Sequence, residues 1–448
     1  MAQLRRLFGT DGIRGVANAD LTPELAFRVG RAAGAELGGA DATFVLGRDT
    51  RLSGPMLEAA LAAGLCSVGV HVGLGGILTT PAVAYLTRDL GAACGVVISA
   101  SHNPVEDNGI KLFGGDGFKL PDAREAAIEA LLDRDDLPRP TGTAMGTIGA
   151  IPDGVDRYMR HLADLSTGGL DGMKIVVDCA FGAAVRVAPR LWEMLGADVV
   201  ILHGEPDGSR INVACGSTDL GPLRQAVLAC GADVGFAHDG DADRVLAVDE
   251  LGEDVDGDAL MGICALDRHR LGTLAGGIVV ATVMSNLGLE QRLAQEGIRL
   301  ERAPVGDRYV LERMVETGAT LGGEQSGHLI FLDQATTGDG LVTAIALTNV
   351  MSATGRRLSE LRAGIPRLPQ VLVNVRVRAR NGLIDAPEVE EAVAAAEARL
   401  ASRGRILVRP SGTEPLVRVM VEAASHEEAR AVAEEVAAVI AGRLGVPS

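Results

Sequence analysis

Short apolar segments alternate with helical segments along most of this chain of 448 residues. In the first region the predicted strands are 43–47, 68–72 and 95–98, and the predicted helices between them are 55–63 and 81–90. The same alternation restarts after residue 154, where one predicted helix is 185–195, and again after residue 276. Because strands that are joined through helices form parallel sheets, the pattern predicts three related doubly wound α/β domains.

The pattern changes after Pro369, where helices no longer follow every strand. The predicted strands of this last region are 371–377, 406–408 and 416–421, and the predicted helices are 388–400 and 427–444. This order predicts a small C-terminal α+β domain. We therefore predict four domains, at residues 1–150, 151–254, 255–367 and 368–448. The segment 137–154, at the boundary between the first two domains, is interpreted as a linker, and Gly73–Gly76 as a loop.

The charge and composition of the chain limit its partners. It has 42 basic and 59 acidic residues, a formal net charge of −17, and only 3% aromatic residues. Such a chain is poorly suited to bind nucleic acid or an anionic membrane. Its six cysteines are scattered without a CxxC pair, its N-terminus lacks a signal-peptide pattern, and the weakly charged run 340–355 is too short to span a bilayer. We therefore expect a cytoplasmic protein.

Ser101 lies just after a predicted buried strand. The apolar run Gly95–Ile98 is followed at once by small polar residues, then by His102, Asn103 and Pro104. In open α/β sheets the reactive groups lie at the carboxyl ends of the strands. The absence of a Gly-x-Ser-x-Gly motif argues against acyl transfer, and His102 should point away from Ser101 if the chain stays extended. The pattern favours a hydroxyl that carries a phosphoryl group.

A loop rich in aspartate follows the predicted strand 234–237. On an extended backbone, Asp239, Asp241 and Asp243 would face the same way and bring three carboxylates together. Like charges at that distance are unfavourable unless a cation neutralises them, and oxygen ligands favour Mg²⁺. The loop therefore predicts a Mg²⁺ site, with a solvated acidic turn as the alternative.

Two later loops also combine polar side chains with glycine. Gly323–His328 offers groups that suit a hydroxylated ligand, and Arg409–Pro415 combines a guanidinium, two hydroxyls and a glycine, as in phosphate-binding loops. Each of these loops, taken alone, is equally compatible with an ordinary turn. Gly47–Gly54 is interpreted as a helix start that is capped by Ser53.

The four loops, in this order and spacing, resemble those of the α-D-phosphohexomutase superfamily. The resemblance runs from about Phe8 to the end of the chain. It implies the heart-shaped, four-domain architecture of that superfamily, with the phosphoserine, metal, sugar and phosphate loops in domains I, II, III and IV.

The resemblance also implies roles for individual residues. Ser101 would cycle through phosphoserine and would hold one Mg²⁺ together with Asp239, Asp241 and Asp243. The other catalytic residues would be Arg14, Lys111 and His328. The residues implied in substrate binding are Arg244, Gly306, Asp307, Glu324 and Ser326, and those implied in phosphate binding are Arg409, Ser411, Gly412, Thr413 and Arg418.

Within the superfamily the sequence is most similar to the branch that acts on glucosamine phosphates. Gln325 stands where glucose and mannose enzymes typically carry Met, and segments 211–217 and 305–310 also resemble this branch. The implied reaction interconverts glucosamine 6-phosphate and glucosamine 1-phosphate through a phosphoserine enzyme and a 1,6-bisphosphate, and it would supply UDP-N-acetylglucosamine and cell-wall precursors. One departure is Ala242, where many members have Gly; its methyl group is tolerable if φ is negative.

Several alternatives stay open at this point. A mutase of the same fold could act on glucose or mannose phosphate, the protein could bind a sugar phosphate without turnover, or it could be a metal-dependent phosphatase. The sequence also leaves open a homodimer, and either an activating kinase or autophosphorylation as the source of the phosphate on Ser101. The expected partner is a small phosphosugar, and the 1,6-bisphosphate is expected as intermediate and activator.

Overall fold

The computed structural model describes residues 7–9, 11–39, 41–378, 386–410 and 415–445. The chain forms two compact units. The first comprises Met1–Met284 and Glu296–Gly364, and the second comprises Ser285–Gln295 and Ile365–Ser448. No helix among the described residues is both long enough and apolar enough to cross a membrane.

The first sheet has six strands in the order β1-β5-β4-β2-β3-β6. They are β1 (Ile13–Val16), β2 (Thr43–Arg48), β3 (His71–Ile77), β4 (Cys94–Ile98), β5 (Asp107–Gly114) and β6 (Ile148–Ala150). The helices of this region are α1 (Pro23–Leu37), α2 (Gly54–Cys66), α3 (Thr80–Asp89), α4 (Asp122–Leu131) and α5 (Gly154–Asp164). Strand β5 runs antiparallel to β1 and β4, and the other pairs are parallel. The central strands β2 and β4 are apolar and buried, as expected for strands that helices cover on both faces.

Two sequence-based expectations in this region are wrong. The segment Gly73–Gly76 lies inside β3 rather than in a loop, and the supposed linker 137–154 contains the edge strand β6. At Gly75 a Cβ atom would lie 2.2 Å from Leu78, so glycine allows this side chain to pack on the strand. All three residues of β6 are exposed, so its pairing with β3 leaves no periodic apolar pattern in the sequence.

The second sheet has five strands in the order β11-β10-β9-β7-β8. They are β7 (Lys174–Asp178), β8 (Asp198–Leu202), β9 (Val234–His238), β10 (Val245–Asp249) and β11 (Asp254–Val255), with helices α6 (Ala188–Met194) and α7 (Gly221–Cys230). The helix expected at 185–195 is shorter, because a 3-10 turn at Ala183–Arg186 precedes α6. Strand β7 lies between β8 and β9 and is parallel to both, so its carboxyl end and that of β9 meet at one edge.

The third sheet has four strands in the order β13-β12-β14-β15. They are β12 (Ile278–Thr282), β13 (Arg299–Ala303), β14 (Leu321–Gly323) and β15 (Leu329–Phe331). The helices between Gly257 and Ala363 are α8 (Gly257–Arg270), α9 (Leu287–Gln295), α10 (Asp307–Thr317), α11 (Gly340–Thr354) and α12 (Leu358–Ala363). Strands β13, β12 and β14 run parallel, and β15 returns antiparallel to β14.

The second unit contains an antiparallel sheet in the order β16-β18-β17. Its strands are β16 (Gln370–Arg376), β17 (Arg405–Pro410) and β18 (Leu416–Glu422), and its helices are α13 (Pro387–Leu400), α14 (His426–Leu444) and the α9 segment. Val417, Val419 and Val421 of β18 are buried in one apolar core with residues of α14, including Val432 and Val436. The expected C-terminal α+β arrangement is therefore present.

A stability prediction follows from the second sheet. Trp192 of α6, the only tryptophan of the chain, is fully buried and stacks on Phe236 of β9, with 5.5 Å between ring centroids and 5° between planes. Phe236→Ala should lower the free energy of unfolding by about 3–5 kcal/mol, because it leaves a cavity and removes the stacked ring. Urea titrations that follow Trp192 fluorescence measure this loss.

The matched control for this experiment is Leu228→Ala in α7. Leu228 is 58% exposed, so its truncation should change the free energy by less than about 0.5 kcal/mol. Equal effects of the two substitutions would contradict the packing described above.

Candidate active site

Ser101 lies at the carboxyl end of β4, and its backbone leaves the extended conformation there. The residue is buried and has φ 53°, in the left-handed region. Its hydroxyl donates a hydrogen bond to Asp239 Oδ2 at 2.5 Å and lies 3.2 Å from His102 Nδ1. The expectation that His102 points away from Ser101 is therefore wrong, because the chain turns at Ser101 instead of staying extended.

The three aspartates of the metal loop meet just after β9. Asp239, Asp241 and Asp243 are buried, and each contributes a carboxylate oxygen to a cluster in which these atoms lie within 4.8 Å of one another. They do so on a turn rather than on an extended strand: Ala242 N donates to Asp239 O at 3.1 Å. Ala242 has φ 56°, so the expected negative φ is wrong, and the closing of this turn is the physical reason.

Gly240 of the same turn allows the metal loop to approach the serine loop. A Cβ atom on Gly240 would lie 2.6 Å from the carbonyl oxygen of Ser101. Any side chain at this position would therefore push apart the two loops that carry Ser101 and Asp239.

The aspartate cluster fits a hard divalent cation. Among the described residues, Asp241 Oδ1 and Asp243 Oδ1 are buried oxygens without a hydrogen-bond partner. The pKa of Asp239 is raised well above its usual value, first by burial and then by the charges of Asp243 and Asp241. A cation ligated by oxygen would relieve this repulsion and would satisfy the two unpaired oxygens.

Lys111 of β5 contacts this cluster from the side of the first sheet. Its Nζ lies 2.9 Å from Asp241 Oδ2, 3.5 Å from Asp243 Oδ2 and 3.2 Å from Asp11 Oδ2. Burial alone would lower the pKa of Lys111, but the three surrounding carboxylates raise it well above the ordinary value. Arg14 of β1 forms an ion pair with Asp11 and donates to Asn103 Oδ1 at 3.3 Å. Lys111 and Arg14 therefore carry fixed positive charge beside the serine and metal loops.

The chain of charges continues from Asp11 and returns to the metal cluster. Lys119 lies 2.5 Å from Asp11 Oδ1 and also forms an ion pair with Asp307. His328 is buried with Nε2 3.7 Å from Asp307 Oδ2 and Nδ1 3.6 Å from Asp243 Oδ1. Burial would lower the pKa of His328, but Asp243 and Asp307 raise it. With Lys111, these residues form a closed ring in which cationic and anionic side chains alternate.

The predicted sugar-binding residues lie in the loops that follow β13 and β14. Glu324 Oε1 accepts a hydrogen bond from Gly306 N at 3.0 Å, and Glu324 Oε2 lies 3.3 Å from the Ser326 hydroxyl, which donates to it. Arg244 Nε lies 3.8 Å from Asp243 Oδ1. Burial alone would lower the pKa of Arg244, but nearby carboxylates, with Asp243 the largest contributor, raise it. The Glu324 loop is thus connected to the metal loop through the charge of Arg244.

The predicted phosphate residues belong to the second unit. Arg409 of β17 and Arg418 of β18 are directly opposite each other in the antiparallel register. Partial burial and then the charge of Arg418 lower the pKa of Arg409, as expected for two adjacent cations that an anion would relieve. Ser411, Gly412 and Thr413 lie outside the described residues.

Comparison with known proteins now decides the family. Four domain models of the phosphoglucomutase/phosphomannomutase family match in order: alpha/beta/alpha domain I at residues 5–139, domain II at 156–252, domain III at 256–368 and the C-terminal domain at 372–439. The phosphoglucosamine mutase of Moorella thermoacetica is 58% identical over 427 residues, which cover 94% of this chain and 96% of that protein. The chain belongs to the phosphoglucosamine mutase branch of this family.

Solved structures agree with this membership in the family. A phosphoglucomutase/phosphomannomutase family protein from Burkholderia thailandensis has a TM-score of 0.83 at 25% identity and covers 98% of this chain and 97% of its own. The N-acetylphosphoglucosamine mutase of Aspergillus fumigatus, solved with GlcNAc-6P and magnesium, has a TM-score of 0.70 at 19% identity over 97% of this chain and 95% of its own. The latter similarity shows the fold alone.

These comparisons confirm the main predictions about family and fold. The phosphohexomutase superfamily, the four-domain α/β architecture and a phosphotransferase of the isomerase class are confirmed. Seven further relatives, 51–56% identical, are also named phosphoglucosamine mutase, which supports the glucosamine branch over the glucose and mannose alternative. The roles of individual residues stay predictions.

Several residues that hold the site together were not among those predicted from the sequence. Asp11 and Lys119 complete the ring of charges, Thr80 donates to Asp241 Oδ2 at 2.6 Å, and Arg51 donates to the Ser101 carbonyl. Asp11 stands in the same glycine-rich segment as Arg14, and Lys119 follows Lys111 by eight residues; neither position has a periodic signal. The prediction that Ser53 caps α2 is wrong. The Ser53 hydroxyl makes no cap hydrogen bond and instead accepts one from Asn108 Nδ2 at 2.8 Å.

The ring of charges yields a prediction about stability and pH. Lys119→Met should cost about 1.5–3 kcal/mol of unfolding free energy at neutral pH, because the partly buried carboxylates of Asp11 and Asp307 each lose one of their cations. Burial alone would raise the pKa of Asp307, but the charges of Lys119 and His328 lower it. This carboxylate therefore stabilises the fold above about pH 4 and loses that effect as pH falls further. The cost of Lys119→Met should therefore be smaller at about pH 3 than at neutral pH in urea titrations.

Lys174→Met is the matched control. Lys174 forms a more exposed ion pair with Asp198 at 3.3 Å, so the substitution should cost less than about 1 kcal/mol at either pH. A loss for Lys119→Met that does not change with pH would contradict the electrostatic account.

Proposed function

We propose that the protein interconverts glucosamine 6-phosphate and glucosamine 1-phosphate, with Ser101 as the residue that carries the phosphoryl group. The observation that carries this proposal is the buried Ser101 hydroxyl, bonded to Asp239 at the edge of a three-carboxylate cluster. The names of the eight relatives, all phosphoglucosamine mutases, support this substrate pair over glucose or mannose phosphates.

In the first half-reaction, phosphoserine 101 gives its phosphoryl group to O1 of glucosamine 6-phosphate. The bond between phosphorus and Ser101 Oγ breaks, and a bond between phosphorus and O1 forms, which gives the 1,6-bisphosphate. In the second half-reaction the phosphoryl group on O6 returns to Ser101 Oγ. Each step breaks one P–O bond and forms another. The proton of the O1 hydroxyl replaces the phosphoryl group on Ser101 Oγ in the first step, and the proton of the Ser101 hydroxyl goes to O6 in the second, so the enzyme leaves the cycle phosphorylated. The bisphosphate is also the activator that we expect to phosphorylate Ser101 at the start.

Asp239, Asp241 and Asp243, together with the phosphorylated Ser101, would hold one Mg²⁺. When bound, this ion would offset negative charge on the group being transferred. Lys111 keeps its positive charge beside Asp241, and Arg14 lies near the serine loop through Asn103. With His328 behind Asp243, these cations provide a fixed positive environment for the reacting phosphate.

The substrate would be held by two further groups of residues. Glu324 and Ser326 present oxygen atoms that suit sugar hydroxyls, and Gly306 and Asp307 border them, with Arg244 adding a cation. Arg409 and Arg418, with Ser411, Gly412 and Thr413, would hold the phosphate that does not react. An activating kinase, autophosphorylation, a homodimer and a cytoplasmic location stay predictions from the sequence.

A substrate panel tests the proposed reaction. Glucosamine 6-phosphate should be turned over with a much higher kcat/KM than glucose 6-phosphate or mannose 6-phosphate in a coupled assay for the 1-phosphate. Ser101→Ala should abolish turnover, and intact-mass analysis should find a phosphate adduct on the wild type that the variant lacks. Preference for a hexose phosphate, or activity in Ser101→Ala, would overturn the proposal, and release of free phosphate instead of isomer would indicate a phosphatase.

The metal site has its own test. Asp241→Asn removes an anionic ligand with little change in volume, so Mg²⁺ affinity in calorimetric titrations should fall and activity should drop by at least about a hundredfold. Asp198→Asn is the matched control. The Asp198 side chain is 63% exposed and lies at the start of β8, whereas the metal loop follows the carboxyl end of β9, so this variant should bind Mg²⁺ like the wild type. Unchanged Mg²⁺ binding in Asp241→Asn would refute the assignment.

A further inference from the structure

Arg51 is a buried cation that the proposed chemistry does not use. Its side chain is fully buried, and all five of its N–H groups have partners in the described structure. Nε donates to Asp49 Oδ2 at 3.0 Å, and the four remaining N–H groups donate to backbone carbonyls of the serine loop. Those carbonyls belong to Ser101 (2.9 Å), Asn103 (2.8 Å), Asp107 (2.9 Å) and Pro104. Because no donor is left over and no surface is exposed, Arg51 cannot itself contact a substrate.

The partner of Arg51 holds the other side of Ser101. Asp49 is also fully buried, and its Oδ2 accepts a hydrogen bond from the Ser99 hydroxyl at 2.6 Å. Ser99 Oγ in turn accepts the backbone N–H of Ser101 at 2.9 Å. The Asp49–Arg51 ion pair therefore reaches both backbone polar groups of Ser101, the N–H through Ser99 and the carbonyl directly.

Asn212, in the segment that follows β8, provides a second donor to the Ser101 carbonyl. Its Nδ2 donates to the Ser101 carbonyl at 2.8 Å, so this one oxygen accepts from Arg51 and from Asn212 together. Asn212 itself has φ 59°, and its backbone N–H donates to Ala180 O at 3.2 Å. Asp178 braces this segment, because its carboxylate accepts from the N–H groups of Ala180 and Gly216, each at 2.9 Å.

This set of bonds acts on a residue in a costly conformation. Ser101 has φ 53°, a value that a residue with a Cβ atom adopts only when its surroundings enforce it. The same conformation directs the Ser101 hydroxyl toward Asp239 and close to His102. If the carbonyl were released, the chain would relax toward a negative φ and the hydroxyl would leave that position.

We propose that Asp49, Arg51 and Asn212 form a clamp that positions Ser101 for phosphoryl transfer by fixing its backbone in the left-handed conformation. These are positioning residues, since they act on the backbone of Ser101 and not on the sugar. The catalytic consequence rests on the function proposed above. The structural consequence, a serine loop held by side chains rather than by a sheet ladder, does not depend on which sugar is the substrate.

Three variants test the clamp. Arg51→Lys keeps the positive charge beside Asp49 but cannot reach four carbonyls with three N–H groups. Asn212→Ala removes the second donor to the Ser101 carbonyl. Because Asn212 is only half-buried, this variant should fold and can test the clamp if Arg51→Lys does not fold. The matched control is Arg48→Lys. Arg48 belongs to the same segment and donates to Glu58 Oε2 at 3.2 Å and to Asp49 O at 3.4 Å, and within the described structure its side chain makes no hydrogen bond to the serine loop.

Hydrogen–deuterium exchange on the purified full-length protein gives the first readout. Amides between residues 99 and 107 should exchange faster in Arg51→Lys and Asn212→Ala than in the wild type and in Arg48→Lys. Steady-state kinetics with glucosamine 6-phosphate gives the second. A displacement of about 1 Å at a reacting group costs about a hundredfold, so kcat of Arg51→Lys should fall on that scale while KM changes little.

The outcomes separate the two proposals. Faster exchange of the serine loop with a lowered kcat supports the clamp. Wild-type exchange in both clamp variants overturns it, whatever the substrate is. A loss of kcat in Arg48→Lys equal to that in Arg51→Lys also overturns it, because the loss would then follow from a general disturbance of the segment. If the wild-type enzyme does not turn over glucosamine 6-phosphate, the proposed function fails, and the exchange data still decide the clamp.

Discussion

Three buried carboxylates beside a serine hydroxyl are the constraint on which the first unit depends. Asp239, Asp241 and Asp243 crowd together in the interior, and burial makes their mutual repulsion large. The fold offsets this charge with Lys111 on one side and His328 on the other. In the described structure, Asp241 Oδ1 and Asp243 Oδ1 also stay without a hydrogen bond, and a cation would satisfy both of these buried oxygens. The site is therefore arranged around a charge that the protein compensates only in part.

The compensating cations need partners of their own, and this requirement links distant parts of the chain. Lys111 is buried, so it is stable as a cation only because Asp11 and the metal loop surround it. Asp11 in turn pairs with Lys119, and Lys119 pairs with Asp307 at the start of α10. A loop expected to bind sugar is thus tied to the serine and metal loops by ion pairs. Such a network holds charges in fixed places before a phosphate arrives, which is the property that phosphoryl transfer requires.

The serine loop depends on a different kind of interaction. Ser101 has no place in a regular ladder, so side chains supply its backbone hydrogen bonds: Ser99 for the N–H, and Arg51 with Asn212 for the carbonyl. Arg51 can do this because a planar guanidinium with five donors suits several carbonyls at once. A serine held in this way keeps the direction of its backbone while its hydroxyl still donates to Asp239.

The local pattern of the sequence was enough to predict most strands and helices and the position of Ser101 at a strand end. It was also enough to predict that Asp239, Asp241 and Asp243 come together, although they do so on a turn and not on the extended backbone that the prediction assumed. It could not predict β6, whose exposed residues carry no periodic signal, or the strand through Gly73–Gly76, where glycine makes room for neighbouring side chains. By itself, therefore, the sequence determined the order of the domains and the residue types of the site.

Only the tertiary structure decided how those residues are oriented and which others support them. The left-handed conformations of Ser101 and Ala242 arise from turns that contacts between loops enforce, so neighbouring residues along the chain do not reveal them. The partners of Lys119 lie 108 and 188 positions away, and Arg51 acts on a loop about 50 positions away. Propensity and periodicity describe neighbours along the chain, whereas a buried charge finds its partner across the fold, and that pairing exists only once the loops have been brought together.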